Sequence, residues 1–126
     1  MKQYHQTVKG KVRRGTGAKK LKSRDKKLAH VGGVFLNTKI GQRSIKITRK
    51  RGGATKIKLR KDLFANVASK EGVKKAKILR VIESITPDYT RQGIITKNTV
   101  IETQIGKAVV TSRPGQDGLI NAKLLA

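Results

Sequence analysis

A chain of 126 residues is long enough for one domain and short for two; its 31 Lys and Arg against 7 Asp and Glu give a net charge of +24. Self-repulsion at that charge opposes a compact isolated state, so a polyanionic partner is expected to complete the working structure. The absence of cysteine excludes disulfides, thiolate zinc sites and cysteine nucleophiles together, and no run approaches the roughly 18 apolar residues of a membrane span. The opening "MKQYHQTVKGK" has no apolar core of a signal peptide, and a soluble, intracellular protein is the simplest expectation. Aromatic residues make up only 3% of the chain, so its core is expected from Ile, Val, Leu and Ala.

The charge is unevenly placed. Residues 1–61 hold 21 of the basic residues and a single acid, Asp25, whereas residues 62–126 hold 10 basic and 6 acidic residues. The densest stretch is "KGKVRRGTGAKKLKSRDKK", with Lys9, Lys11, Arg13, Arg14, Lys19, Lys20, Lys22, Arg24, Lys26 and Lys27 around only three apolar side chains. Leu21 and Leu28 share a helical face at heptad spacing, but two leucines bury too little to offset the entropy of ordering. Residues 1–33 are therefore expected to form an extended basic arm, ordered mainly by its polyanionic partner. Gly10, Gly15 and Gly17 would let it follow grooves and approach phosphates closely.

From Val34 onward the chain reads as short β-branched strands: 34–38, 43–49, 55–60, 77–85, 93–97, 99–103, 107–113 and 119–125. Gly41, Gly52-Gly53, Gly72, Pro87-Asp88, Lys97-Asn98, Gly106, Pro114-Gly115 and Asp117-Gly118 separate them as turns. The segment "KDLFANVASK" (61–70) fits a helical turn or another strand. With no convincing long helix, the expected fold is mainly β, a small barrel or sandwich over residues 34–126. Phe35 and Phe64 lie among apolar neighbours and are expected in its core.

Catalysis has little to work with. His5 and His30 have no carboxylate at a useful spacing, and the seven acids are too scattered for a general acid–base pair or a metal site. They are expected to pair with nearby Lys and Arg. Gly10 and Gly15 have the spacing of a nucleotide-binding loop, yet Thr16 stands where that loop requires Lys. No enzyme activity, cofactor or metal is expected.

Nucleic-acid binding fits the charge. In "KRGGATKIKLRK", Lys56, Lys58 and Arg60 alternate with Ile57 and Leu59, and cations on one strand face recur about every 6.6 Å. Each then meets a separate phosphate, a contact that supplies affinity and register rather than sequence reading. Arg43, Arg49, Lys50, Arg51 and Lys61 extend this expected basic face, with Ile57 and Leu59 holding it to the barrel. Few aromatics are available as stacking platforms.

The run "VTSRPGQDG" (110–118), followed by Asn121-Ala122, closely resembles the "eight-e" family of small-subunit ribosomal proteins of archaea and eukaryotes. "RGGATKIKLRK" (51–61) and "KILRVIES" (77–84) are similar to that family's basic Gly-Gly segment and central strand, and the short length to its archaeal members. Asn98 stands where members often have Gly, and Asn tolerates the same left-handed turn. The resemblance implies a mainly β, barrel-forming constituent of the small ribosomal subunit, without a catalytic site. Its partners would be small-subunit ribosomal RNA and neighbouring ribosomal proteins, with no membrane and no small-molecule substrate, in the cytoplasm. In the motif, Pro114 and Gly115 suit a type II turn, and Arg113 is either a phosphate clamp or a surface charge bonded to the turn. A DNA-coating architectural protein and a transient ribosome-assembly factor stay open as alternatives.

Overall fold

The computed structural model describes residues 3–4, 12–18, 31–50 and 52–125, in two compact units, Met1–Phe35 and Leu36–Ala126. In the first unit, strands β1 (Gln3–Tyr4) and β2 (Val31–Gly32) pair antiparallel. Residues 12–18 form an exposed turn, in which the Gly17 N–H donates to the Arg13 carbonyl at 3.0 Å and the Arg13 N–H to that of Ala18 at 2.9 Å. Lys9, Lys11, Lys19, Lys20, Lys22, Arg24, Lys26, Lys27 and Arg51, with His5 and His30, lie outside the described residues.

The second unit is mainly β, as the alternation predicts. Strands β3 (Lys39–Ile40), β4 (Ser44–Arg49) and β5 (Thr55–Asp62) form a three-stranded sheet in the order β3-β5-β4. Next come β6 (Phe64–Ser69), β7 (Gly72–Glu83), the helical turn α1 (Pro87–Arg91), β8 (Val100–Thr103), β9 (Gly106–Val110), the helical turn α2 (Pro114–Asp117) and β10 (Asn121–Leu124). Strands β10-β6-β7-β8-β9 close a barrel, with β10 and β6 parallel and the remaining pairs antiparallel. Closure removes the unpaired edges that would invite aggregation.

Alternation along each barrel strand supplies the interior: Ala65 and Val67, Ala76 and Ile78, Ile101, Ala108 and Val110, and Ala122 are buried. Alanine recurs because the inside of so small a barrel has room for side chains only if several are short. Leu59, Ile95 and Ile120 complete the same cluster from outside the barrel strands. Burying each of the larger aliphatic side chains contributes about 1.5–3 kcal/mol.

Several expectations change. The undecided segment 61–70 is strand, with Ala65 and Val67 facing inward. Residues 34–38 and 93–97 are not strands, yet Thr38, Ile94 and Ile95 are buried. These two irregular segments satisfy one another, the Ile95 N–H donating to the Thr38 carbonyl at 2.8 Å. β-Branched content reports burial as much as strand pairing, which is why they read as strands. The basic segment 43–61 lies in the separate three-stranded sheet rather than on the barrel wall, and Ile57 is half-exposed while Leu59 alone reaches the core. Phe35 and Phe64 are exposed rather than buried.

The expected type II turn at Pro114-Gly115 is instead the helical turn α2, and the left-handed residue is its C-cap Gly118, φ +75°. A Cβ there would sit 2.7 Å from Ile57 Cγ2, so this turn seats against β5 at a place where only glycine fits. Asn98 does adopt the left-handed conformation, φ +65°. Gly118→Ala is expected to cost at least the roughly 1–2 kcal/mol of a left-handed Cβ, read as a lower urea midpoint. Adding Ile57→Ala, which removes the colliding methyl, should recover part of that loss; strictly additive losses would mean that the collision is relieved elsewhere.

Candidate nucleic-acid interface

The β4–β5 ribbon is built by its register. Ile45 lies opposite Leu59, Lys46 opposite Lys58, Ile47 opposite Ile57 and Thr48 opposite Lys56. Because side chains alternate across a strand, the isoleucines and Leu59 occupy one face, and Lys46, Lys56 and Lys58 the other. Arg60 does not continue this row. The register shifts between Ser44 and Ile45, pairing Ser44 with Lys61 and Ile45 with Leu59, so Arg60 falls at a bulge, a feature that re-aims a side chain.

Like charges directly opposite one another are destabilising, and this sheet has two such pairs, since Lys39 also lies opposite Lys61 on β3 and β5. Lys46 and Lys39 were not among the candidates from sequence. Lys46 was legible, because "SIKIT" alternates as "KIKLR" does; the Lys39–Lys61 pairing required the fold.

Few of these cations are compensated from within. Among the described residues, the ion pairs are Arg43–Asp62 at 3.7 Å, Lys74–Glu71 at 3.0 Å, Arg80–Glu102 at 2.5 Å and Arg91–Asp88. Only Arg43 belongs to the predicted basic face; the other three pairs lie on α1 and on the barrel strands or the turn between them. Lys56 is held differently, its Nζ donating to Gln116 Oε1 of α2. Arg49, Lys50, Lys58, Arg60 and Lys61 have no carboxylate in ion-pair range among the described residues. Arg13 and Arg14 are exposed in the turn of the first unit.

Arg113 is the N-cap position of α2. Its backbone N–H donates to Asp117 Oδ2 at 2.8 Å while its side chain is exposed. The bond to the turn is thus made by the backbone, and the guanidinium stays on the surface. Among the described residues no three His, Asp or Glu side chains come together as a metal site.

The sheet is held to the body of its unit where it needs to be. Beyond Lys61 and Asp62, where β3 pairs, the second edge of β5 has no strand against it. Thr38 Oγ1 donates to the Leu59 carbonyl at 2.8 Å, and Gly118 lies against Ile57. A side chain and a turn therefore cover what would be an open edge; on the cationic face Lys46 is exposed and Lys56 and Lys58 are half-buried, while Ile45, Ile47 and Ile57 of the other face are exposed. Such a surface suits a polyanion with regularly spaced charges.

The family described as "Ribosomal protein S8e" matches residues 8–125. The chain is 48% identical to a protein of Sulfolobus acidocaldarius named "Small ribosomal subunit protein eS8", over 90% of this chain and 91% of that protein. Proteins of the same name from Pyrobaculum aerophilum and Methanocorpusculum labreanum are 46% and 43% identical, over 92% and 90% of this chain and 92% and 94% of theirs.

Replacing Lys56, Lys58 and Arg60 together by Gln should lower affinity for folded RNA and flatten its salt dependence. Each lost phosphate contact removes about 0.7–0.9 from the slope of log K against log salt, so a fall of roughly 2 is expected. The same loss of charge at Lys70, Lys107 and Lys123 on the barrel side serves as the comparison and should leave the slope nearly intact. A triple ribbon variant with the wild-type slope would remove this face from the interface.

Proposed function

This chain belongs to the ribosomal protein S8e family, a family of ribosomal structural proteins rather than enzymes, and on that premise we propose that it is a constituent of the small ribosomal subunit that binds folded ribosomal RNA through backbone phosphates. In this reading, the β4–β5 ribbon neutralises phosphates with Lys46, Lys56 and Lys58, and Arg49, Lys50, Arg60 and Lys61 extend the contact. The arm, residues 1–33, threads between RNA helices and takes its order mainly from them. Arg113 clamps a further phosphate from the end of α2.

One observation carries the reading: Lys46 faces Lys58 across the ribbon with no carboxylate in ion-pair range among the described residues. A sheet keeps such a pair only at a cost, and a phosphate backbone laid along the face offsets it. Contacts of this kind position the protein on RNA without reading sequence, and they support assembly and translation by fixing the shape of the RNA. The family supports a structural place in the subunit over coating of DNA, and neighbouring ribosomal proteins would be further partners in the cytoplasm.

Sedimentation of a native extract through a sucrose gradient tests the proposal. The chain should co-migrate stoichiometrically with small-subunit RNA and stay with it through a moderate salt wash. A peak with precursor particles, with substoichiometric amounts in mature subunits, would make it an assembly factor; a peak with DNA would overturn the ribosomal role.

A further inference from the structure

Phe64 breaks the expectation set by its neighbours. It opens β6 and is 42% exposed, in a chain with two Phe, two Tyr and no Trp. Exposing a large ring to water forgoes the apolar burial that usually places it inside, and here the ring is held in place at the surface. Asp62 Oδ1 accepts the Phe64 backbone N–H at 3.1 Å, and Lys75 Nζ lies 4.6 Å from the ring centroid.

The ring borders a hollow of about 310 Å³ that Gln42, Arg43, Asp62, Lys75 and Leu119 also line. That is the lower end of small-ligand sites, room for one flat heterocycle. Asp62 is only 5% exposed. Its Oδ2 has the Arg43 guanidinium at 3.7 Å, longer than a hydrogen bond, so that oxygen keeps capacity to accept one. An aromatic platform, a carboxylate acceptor and two cations thus converge on one concavity, which a surface built only to neutralise phosphates does not require.

We propose that this hollow receives a single unpaired nucleotide of the bound RNA. The base stacks on Phe64 and turns a donor edge to Asp62; guanine suits it best, since its N1–H and N2–H groups are adjacent donors for one carboxylate. Lys75, on its flexible stem, exchanges the ring for a flanking phosphate, and Arg43 takes the other side. Splayed-out bases stacked on aromatic side chains are the usual means by which RNA sequence is read. The inference rests on the RNA-binding reading above and adds to it one position where a base, rather than a phosphate, is recognised.

The test uses the full chain. With no native Trp, Phe64→Trp supplies a lone tryptophan, excited selectively over the two tyrosines and titrated with hexauridylate and with the same hexamer carrying one central guanosine, adenosine or cytidine. Saturable quenching should be about tenfold tighter for the guanosine hexamer than for hexauridylate, and Asp62→Asn should erase that preference. Phe64→Leu should weaken binding to transcribed small-subunit RNA by about tenfold with an unchanged salt slope, because stacking releases no counterions. Equal quenching by all four hexamers, or wild-type RNA affinity in Phe64→Leu, would overturn the nucleotide site and leave phosphate binding intact. Should the wild-type chain fail to bind the transcript at all, the proposed function itself falls. Asp62 also holds the Phe64 N–H; if Asp62→Asn misfolds, the two Phe64 variants, altered only at an exposed ring, still decide the matter.

Discussion

Lys46 facing Lys58, and Lys39 facing Lys61, set the terms for everything around them. Two ammonium groups opposed on a ladder repel, and solvent screening at physiological salt acts over about 8 Å, too far to cancel a direct neighbour. Carboxylates that relieve such strain in ordinary proteins are spent elsewhere, on Arg43, Lys74, Arg80 and Arg91. A sheet with this charge on one face needs two things: rigid support from beneath, so that repulsion does not open it, and an anion above.

The support comes from Leu59, with Ile40 of β3 packed against the same cluster, and from two edge contacts. Leu59 leaves the ribbon to join the cluster that fills the barrel, so the cationic sheet shares its core with the barrel. The Thr38 hydroxyl bonds to the carbonyl of that same leucine, and Gly118 lies against Ile57, two residues earlier. α2 also holds Lys56 through Gln116, so the sequence "RPGQDG" works as architecture for the cationic face. The barrel itself is closed on itself and lined with short side chains, and it leaves the ribbon free to be as basic as its partner demands.

Local pattern was readable wherever one face of a strand is buried and the other wet. "TKIKLR", "TVIET" and "KAVV" contain strands of this kind; "SIKITR" alternates and is strand as well, although none of its side chains is buried. It failed where burial came from elsewhere. Ile94 and Ile95 are both buried although they stand side by side in an irregular segment, an arrangement that period-2 alternation cannot describe. Phe64 failed in the opposite sense: apolar neighbours predict a core residue, but the inward positions of β6 belong to Ala65 and Val67, and strand parity sends Phe64 outward.

By itself, the sequence determined the net charge, its concentration in residues 1–61, and the mainly β character. Those properties depend on composition and on contacts between near neighbours. Tertiary structure alone decided which strands close the barrel, that the basic segment forms its own sheet, that Arg60 falls at a bulge, and that Asp62, Phe64 and Lys75 surround one hollow. Each of these depends on register between segments distant in the chain, and a shift of one residue reverses which face every side chain occupies. Composition can show that a surface seeks an anion; only the register shows which cations stand opposite one another and which side chains surround the hollow.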